Sequence, residues 1–167
     1  MKAAVVTQNG VEIREVPAPV PSSNHVLVRV RACGLNRADL GVASGRMHGS
    51  VGGPGTIVGM EFAGEVAEVG SEVSGIKPGD RVMCSGGGGF AEYAVADWGR
   101  ASPMPAGMSY EQAATLPVAL QTMHNALVTA GRLVAGESVL IQGASSGVGL
   151  MALQIARHMG AALVIGT

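Results

Sequence analysis

The sequence predicts a mixed fold in which a mostly β domain is followed by an α/β segment. Over about the first hundred residues, short strand-like runs alternate with turn signals at close spacing, which is typical of a small barrel or sandwich. From about Ser109 onward the pattern becomes helical, and residues 138–165 have the order strand, glycine loop, helix, strand. We therefore divide the chain into domains at residues 1–120 and 121–167.

Four segments carry the strand pattern of the first domain. The segment "AAVVTQNGVEIREV" contains two strand-like runs around Asn9-Gly10, which is a strong signal for a hairpin. In "HVLVRVRAC" the valines alternate with Leu27, Arg29 and Arg31, as in a half-buried strand. The segment "MEFAGEVAEVG" has a similar β pattern, and the Pro-Gly turn of "KPGDRVMC" precedes a further strand.

Two helices are predicted after these strands. Ser109 is placed to cap the first helix, and Gln112 three residues later completes a capping box. The segment "ALQTMHNALVTAG" predicts the second helix, which we expect to end near Gly131.

The last segment, "SVLIQGASSGVGLMALQIARHMGAALVIGT", predicts a βαβ unit. Residues 139–141 are a continuous apolar run, as expected for a parallel strand that is buried on both faces. In the helix after the loop, Met151, Ile155 and Met159 recur every four residues. Gly160 then stops the helix.

The glycine loop between this strand and helix places backbone N–H groups where a phosphate can sit. We expect the phosphate site to consist of Ala144, Ser145, Ser146, Gly147, Val148 and Gly149. A side chain at Gly147 or Gly149 would block either the phosphate or the close packing of helix on sheet. Because the spacing is not the full GxGxxG, a simple tight turn from strand to helix is the alternative interpretation.

Two other kinds of glycine loop fit the sequence less well. A P-loop would have a lysine after the last glycine, and none is present. The spacing of Gly143, Gly147 and Gly149 also occurs in short-chain dehydrogenases. Those enzymes carry a later Tyr-x-x-x-Lys, and neither Tyr93 nor Tyr110 has a lysine at that position.

Composition and charge exclude several classes of partner. The 167 residues have a formal net charge of -1, so nucleic acid and membrane surfaces are not expected partners. No apolar stretch is long enough to span a bilayer. Cys33 and Cys84 lie outside any Cys/His cluster, and the four histidines, His48 among them, show no ligand spacing. We expect a cytoplasmic protein without a metal site.

Five motifs in a fixed order resemble the medium-chain dehydrogenase/reductase superfamily, in its zinc-free quinone oxidoreductase (zeta-crystallin-like) branch: "ACGLNRADL", "VGMEFAGEVAEVG", "KPGDRV", "GGFAEYAV" and "GASSGVGLMALQIAR". The resemblance covers essentially the whole chain. It implies a GroES-like β-barrel catalytic domain followed by the first βαβ unit of a Rossmann domain, which is a doubly wound parallel sheet. It also implies that NADPH and the substrate bind in the cleft between the two domains.

Two departures from the zinc alcohol dehydrogenases of the same superfamily indicate the chemistry. Those enzymes hold a catalytic zinc with a cysteine where this sequence has Asn36, and with a histidine where it has Met60. A carboxamide and a thioether cannot replace a thiolate and an imidazole on zinc. The resemblance therefore implies zinc-independent hydride transfer to an acceptor that needs little activation, such as a quinone or an activated enone.

The resemblance also identifies candidate site residues. Asn36 matches a position near the nicotinamide, where its amide could hydrogen-bond a substrate carbonyl or a water; a helix or turn cap is the alternative. Asp39 is the second catalytic candidate, with a capping or structural carboxylate as its alternative. Gly41 occupies a position where many relatives have tyrosine, which argues against protonation by a phenol. Thr122 matches a threonine that approaches the cofactor, although a hydroxyl at a helix start would also explain it.

We therefore expect an NADPH-dependent enzyme of the quinone oxidoreductase type. A zinc-free 2-enoyl or enone reductase is the alternative among enzymes, and a non-catalytic nucleotide-binding or scaffold protein is the alternative outside them. Chains of the family continue with several more βα units. We accordingly expect these 167 residues to be the N-terminal part of a longer chain, or a truncated product that depends on another chain to cover its apolar face. In either case we expect them to be inactive alone, and the full-length form to be a homodimer.

Overall fold

The chain forms two units, Met1–Pro117 and Val118–Thr167. The structure is a computed structural model that describes residues 1–46 and 52–167. His48 lies outside the described residues. Each unit has buried hydrophobic clusters of its own, so each is described by itself.

The first unit is mostly β structure. In chain order it contains β1 (Lys2–Thr7), β2 (Gly10–Glu15), β3 (His25–Cys33), α1 (Arg37–Ala43), β4 (Glu61–Val69), β5 (Arg81–Ser85), β6 (Tyr93–Asp97), β7 (Ala101–Pro103) and α2 (Tyr110–Ala114). A short 3₁₀ helix, Trp98–Arg100, connects β6 to β7. The predicted strands are present and α2 follows them, but α1 lies between β3 and β4, so the order is not simply strands followed by helices.

The predicted hairpin is present, with its turn one residue earlier than the Asn9-Gly10 pair suggests. β1 and β2 pair antiparallel along their length, and the last pair joins Thr7 to Gly10. Gln8 and Asn9 are therefore the two loop residues. Gly10 opens β2 with a φ of +105°, which glycine adopts without steric cost.

The other five strands form one antiparallel sheet in the order β6-β3-β4-β5-β7. The alternation predicted for β3 is present from Val28 onward, where Val28 is fully buried and Arg29 and Arg31 are exposed. Leu27 is buried as well, so the first half of β3 is covered on both faces. The main core cluster consists of Val26, Val28, Phe62, Val66, Val82, Cys84, Ala94 and Ala96.

The helix α2 begins at the predicted capping box. The backbone N–H of Gln112 donates to Ser109 Oγ at 3.2 Å, and the backbone N–H of Ser109 donates to Gln112 Oε1 at 3.0 Å. Its two alanines, Ala113 and Ala114, are fully buried in a cluster with Ala63 of β4. Small side chains at these positions let the helix pack closely on the sheet.

The second unit contains the predicted helix and βαβ unit. Its elements are α3 (Pro117–His124, beginning at the last residue of the first unit), a π-helical segment (Asn125–Ala130), β8 (Ser138–Ile141), α4 (Gly147–His158) and β9 (Leu163–Gly166). The predicted helix does end at Gly131, although its last six residues form wider π turns. There the backbone N–H of Gly131 donates to the carbonyl of Ala126 at 2.9 Å, which is the i→i+5 bond of a π helix.

The strands β8 and β9 pair in parallel, as predicted, but the prediction that β8 is buried on both faces is wrong. Leu140 is 61% exposed. The pairing places Leu140 opposite Ile165 and Ser138 opposite Leu163, so these four side chains share one face of the pair. α4 packs on the other face, and one helix can cover only one face of a two-stranded sheet.

The apolar repeat of α4 also differs from expectation. The fully buried positions are the small residues Ala152 and Ala156, in a cluster with Ile141 and Ala144. The four-residue repeat Met151, Ile155 and Met159 is half-buried. It lines an apolar cavity of about 620 Å³ together with residues of α3, which are Leu120, Gln121 and His124.

Candidate functional site

The start of α1 brings the two predicted catalytic residues together. Asn36 is the N-cap of α1 and has extended backbone angles, φ −118° and ψ 146°. Its backbone N–H donates to Asp39 Oδ2 at 2.7 Å, and Asp39 is only 6% exposed. This is one half of a capping box. Asp39 therefore has the capping role that was its alternative interpretation, and catalysis by Asp39 stays a prediction.

The side chain of Asn36 binds a buried carboxylate that the sequence analysis missed. Asn36 Nδ2 donates to Glu61 Oε1 at 2.8 Å. Glu61 is the first residue of β4 and is 4% exposed. A signal was available in "GMEFAG", because a carboxylate among residues of a buried strand needs a polar partner. Alternation alone assigned Glu61 no particular role.

Gly34 leaves the space into which the Glu61 side chain fits. A Cβ built at Gly34 would lie 2.5 Å from Glu61 Oε1 and 2.7 Å from Glu61 Cγ. The backbone N–H of Gly34 also donates to the carbonyl of Glu61 at 3.1 Å. Glycine at position 34 thus permits the carboxylate of Glu61 to reach Asn36.

An apolar cavity of about 400 Å³ borders this cluster within the first unit. Its lining consists of Val11, Leu35, Asn36, Arg37, Asp39, Leu40, Ala43, Val58 and Phe90. Leu35 and Leu40 are 84% and 70% exposed, so the cavity opens to solvent past apolar side chains. An apolar wall with a few polar groups is typical of a small-molecule site.

Gly41 and Met60, the other two positions considered in the sequence analysis, lie near this cluster in the chain. A Cβ built at Gly41 meets nothing within 4 Å, so the position where relatives have tyrosine is open. Met60 is half-buried, and its carbonyl accepts from the backbone N–H of Gly86 at 2.9 Å.

The two cysteines are free, and both are poor nucleophiles. Cys33 is an exposed residue, but partial burial of its thiol raises the thiol pKa, and the negative charge of Asp39 raises it further. Burial raises the pKa of Cys84 to about 12. Both thiols are therefore protonated at neutral pH, and the thiolate is the reactive form.

In the second unit, Ser146 caps α4 and orders the glycine loop. Ser146 Oγ accepts from the backbone N–H of Gly149 at 3.1 Å and donates to the carbonyl of Gly143 at 2.8 Å. Gly143 itself has a φ of +69°. The strand-to-helix turn is thus held by one serine and one left-handed glycine.

A side chain would meet different surroundings at the two glycines at the start of α4. A Cβ at Gly149 would collide with the carbonyl of Gly143 and lie 2.6 Å from Ala144 Cα. A Cβ at Gly147 would meet nothing within 4 Å. Gly149 is therefore required for close packing of the helix on its own loop, whereas Gly147 leaves open space at the helix start.

Fewer than the six predicted residues of this loop are open to a ligand. Ala144 is buried, and its N–H donates to the carbonyl of Thr167 at 3.0 Å. The first N–H groups of a helix have no intrahelical acceptor. Because Ser146 takes the N–H of Gly149, those of Gly147 and Val148 are the ones available to an anion. Residues 145–148 are exposed.

Thr122, the remaining predicted cofactor residue, is exposed on α3. The next residue, Met123, packs against the cluster that contains Ala144. Contact of Thr122 with a cofactor stays a prediction.

The donor set in the described residues does not fit zinc. In residues 1–46 and 52–167, no three His, Cys, Asp or Glu side chains are grouped as a metal ion would require. At the two positions that correspond to zinc ligands, Asn36 donates its amide to Glu61, and Met60 offers only a thioether.

Over the same described residues, no helix is long and apolar enough to cross a membrane.

Comparison with known proteins gives consistent matches. Residues 22–106 match the alcohol dehydrogenase GroES-like domain family. The quinone oxidoreductase of Mus musculus is 42% identical over 155 residues, which are 92% of this chain and 46% of the mouse protein. The chain thus spans about half the length of the curated relatives that it matches.

Two solved structures are similar over nearly all of the chain. The Escherichia coli quinone oxidoreductase complexed with NADPH is 30% identical with a TM-score of 0.81, covering 99% of this chain and 52% of the other. The CurK enoyl reductase is 28% identical with a TM-score of 0.85, covering 97% of this chain and 53% of the other.

Proposed function

The chain belongs to the alcohol dehydrogenase GroES-like family of the medium-chain dehydrogenase/reductase superfamily, and from that membership we propose an NADPH-dependent, zinc-independent quinone oxidoreductase. The observation that carries the proposal is Asn36, whose amide binds a buried carboxylate beside an open apolar cavity. The apolar cavity lining suits the flat apolar body of such an acceptor, and the Asn36 amide at the edge of the cavity suits its carbonyl.

NADPH fits the residues at the start of α4. The N–H groups of Gly147 and Val148 and the open space at Gly147 would receive the pyrophosphate. When bound, the reduced nicotinamide supplies a hydride, so that NADPH, a proton and a quinone give NADP⁺ and a hydroquinone. The NADPH complex of the E. coli relative supports this choice of cofactor.

The chain's own residues have simpler tasks. Asn36 would donate an amide N–H to the acceptor carbonyl, which stabilises the negative charge that develops on its oxygen. The exposed side chains of Leu35 and Leu40 would contact the apolar body of the acceptor and exclude water from it. The carboxylate of Asp39 would hold the N-cap in place.

The experiment is steady-state oxidation of NADPH by the full protein that carries this sequence, with a quinone as acceptor and after removal of metal ions with a chelator. We expect turnover that the chelator does not change. Gly147→Asp should weaken NADPH binding, because it adds bulk and a like charge beside the pyrophosphate. Absence of quinone turnover, or loss of activity with the metal, would contradict the proposal.

A second candidate, reduction of a 2-enoyl thioester or enone, is favoured by the similarity to the CurK enoyl reductase. Both reactions need hydride delivery beside a carbonyl, and they differ in the shape of the acceptor pocket. Comparison of kcat/KM for a quinone and an enoyl thioester separates them. Tight NADPH binding without turnover of either acceptor would favour a non-catalytic nucleotide-binding protein.

We also propose that the full protein acts in the cytoplasm as a homodimer on a small-molecule acceptor. Two free cysteines support a reducing compartment. Sedimentation of the full protein tests the dimer.

A further inference from the structure

We propose that Glu61 is a positioning residue, which fixes the Asn36 amide so that it presents an N–H to the acceptor. This inference rests on the proposed reduction of a carbonyl acceptor. Glu61 belongs to β4 and Asn36 to the turn before α1, and the two are joined at 2.8 Å across 25 positions of sequence.

The first step concerns the direction of the amide. A carboxylate can only accept hydrogen bonds, so Glu61 Oε1 selects the nitrogen end of the Asn36 amide over its oxygen end. The backbone that carries this side chain is held at the start of α1, because the N–H of Asp39 donates to the Asn36 carbonyl at 3.0 Å and the N–H of Asn36 donates to Asp39 Oδ2 at 2.7 Å. The carboxylate of Glu61 thus orients the amide, and the capping contacts hold the backbone to which the amide is attached.

The second step concerns which hydrogen remains. An amide nitrogen carries two hydrogens, and Glu61 Oε1 takes one of them. Within residues 1–46 and 52–167 this nitrogen has no second acceptor, so the other hydrogen is available to a ligand in the cavity that Asn36 lines. With the amide held in this way, the group offered to an acceptor carbonyl is a donor, as hydride addition to that carbonyl requires.

The third step concerns the rigidity of Glu61 itself. Its side chain is 4% exposed, and it lies where a side chain at position 34 would be. Glu61 also forms the first residue pair between β4 and β5, where it lies opposite the buried Ser85. A buried group on a strand holds its partner more precisely than an exposed one on a loop.

The test compares Glu61→Gln with Asn36→Ala and the double variant in the full protein. Glutamine keeps the size and can still accept, but its own N–H₂ can equally donate to the amide oxygen, so the direction of Asn36 is no longer defined. We expect Glu61→Gln to lower kcat by roughly tenfold to a hundredfold, the range that misplacement of a catalytic group can cause, with little change in the KM for NADPH.

The double variant distinguishes positioning from a general structural role. If Glu61 acts through Asn36, Glu61→Gln has no further effect on kcat once Asn36 is alanine. Losses that multiply would overturn the inference. The matched control is Glu68→Gln, an exposed glutamate on the same strand, which should leave kcat unchanged.

A spectroscopic measurement keeps the outcome independent of turnover. In a ¹⁵N-labelled protein, the Asn36 side-chain N–H bonded to the carboxylate should resonate downfield and move upfield in Glu61→Gln, but not in Glu68→Gln. Unchanged Asn36 signals in Glu61→Gln would contradict the positioning role. If the unsubstituted protein turns over neither a quinone nor an enone, the proposed function fails, and this spectrum alone decides whether Glu61 fixes Asn36.

Discussion

At the scale of single residues, the site depends on where side chains are missing as much as on where they are present. Gly34 gives room to the Glu61 carboxylate, and Gly149 gives room to the loop at the start of α4. At Gly41 and Gly147, by contrast, an added Cβ would meet nothing within 4 Å. Substitution should therefore destabilise the protein at the first kind of glycine, and be neutral or stabilising at the second.

Gly41→Ala should stabilise the protein by about 0.5–1 kcal/mol, because alanine replaces glycine inside α1 without any clash. The measurement is the free energy of unfolding in urea. The matched control is Gly45→Ala, just beyond the same helix, where a φ of +77° should make alanine destabilising. A loss of stability in Gly41→Ala would show that the helix needs its glycine.

The buried thiol of Cys84 should make stability fall at alkaline pH. Its pKa is raised to about 12 in the folded protein, so above the ordinary thiol value of 9.0 the unfolded chain loses this proton while the folded chain retains it. The contribution of Cys84 is complete below pH 9 and is lost as the pH rises toward 12. Between those values the slope of unfolding free energy for the parent protein should be steeper than for Cys84→Ala, by up to about 1.4 kcal/mol per pH unit. Equal slopes would contradict this prediction.

At the scale of elements, local signals predicted what local chemistry controls. The capping box of α2, the hairpin and the strand-loop-helix-strand order are each encoded by a few adjacent residues, and all are confirmed. The contact of Glu61 with Asn36 was not predictable in this way, because it joins residues 25 positions apart through a fold that the pattern does not specify. The burial of Ala152 and Ala156, in place of the apolar repeat of α4, was missed for a different reason. Close packing of the helix favours small side chains over large ones.

The glycine loop gives a prediction for the start of α4. Gly149→Ala should destabilise the second unit by a few kcal/mol, as expected when a buried Cβ is forced against backbone atoms. Gly147→Ala should cost almost nothing. In the full protein, Gly147→Ala should nevertheless weaken NADPH binding more than Gly149→Ala does, because the space at Gly147 is the part offered to a phosphate.

Thermal unfolding and NADPH titration of the two variants measure these effects separately. Gly149→Ala with unchanged stability would mean that the loop can move away from the helix. Gly147→Ala with both stability and NADPH affinity unchanged would fit a plain structural turn better than a phosphate site.

At the scale of the whole molecule, each unit leaves apolar surface that its described residues do not cover. In the first unit this surface is the mouth of the cavity at Leu35 and Leu40, where the proposed acceptor binds. In the second it is the face of the β8–β9 pair that carries Leu140, Leu163 and Ile165, which are 61%, 51% and 45% exposed. Single exposed apolar residues are common in proteins, but three on one small face form a patch.

A polypeptide of these 167 residues, produced by itself, should therefore bind a hydrophobic dye such as anilinonaphthalene sulfonate through this face. Replacement of Leu140 and Ile165 by serine removes apolar area from the face without touching the cluster around Ala152, so dye fluorescence should fall while the helical circular dichroism is retained. The matched control is Val20→Ser. Val20 is 86% exposed in the first unit, and its replacement should leave the fluorescence unchanged. Equal dye binding by the polypeptide and its double variant would show that the patch is covered in solution.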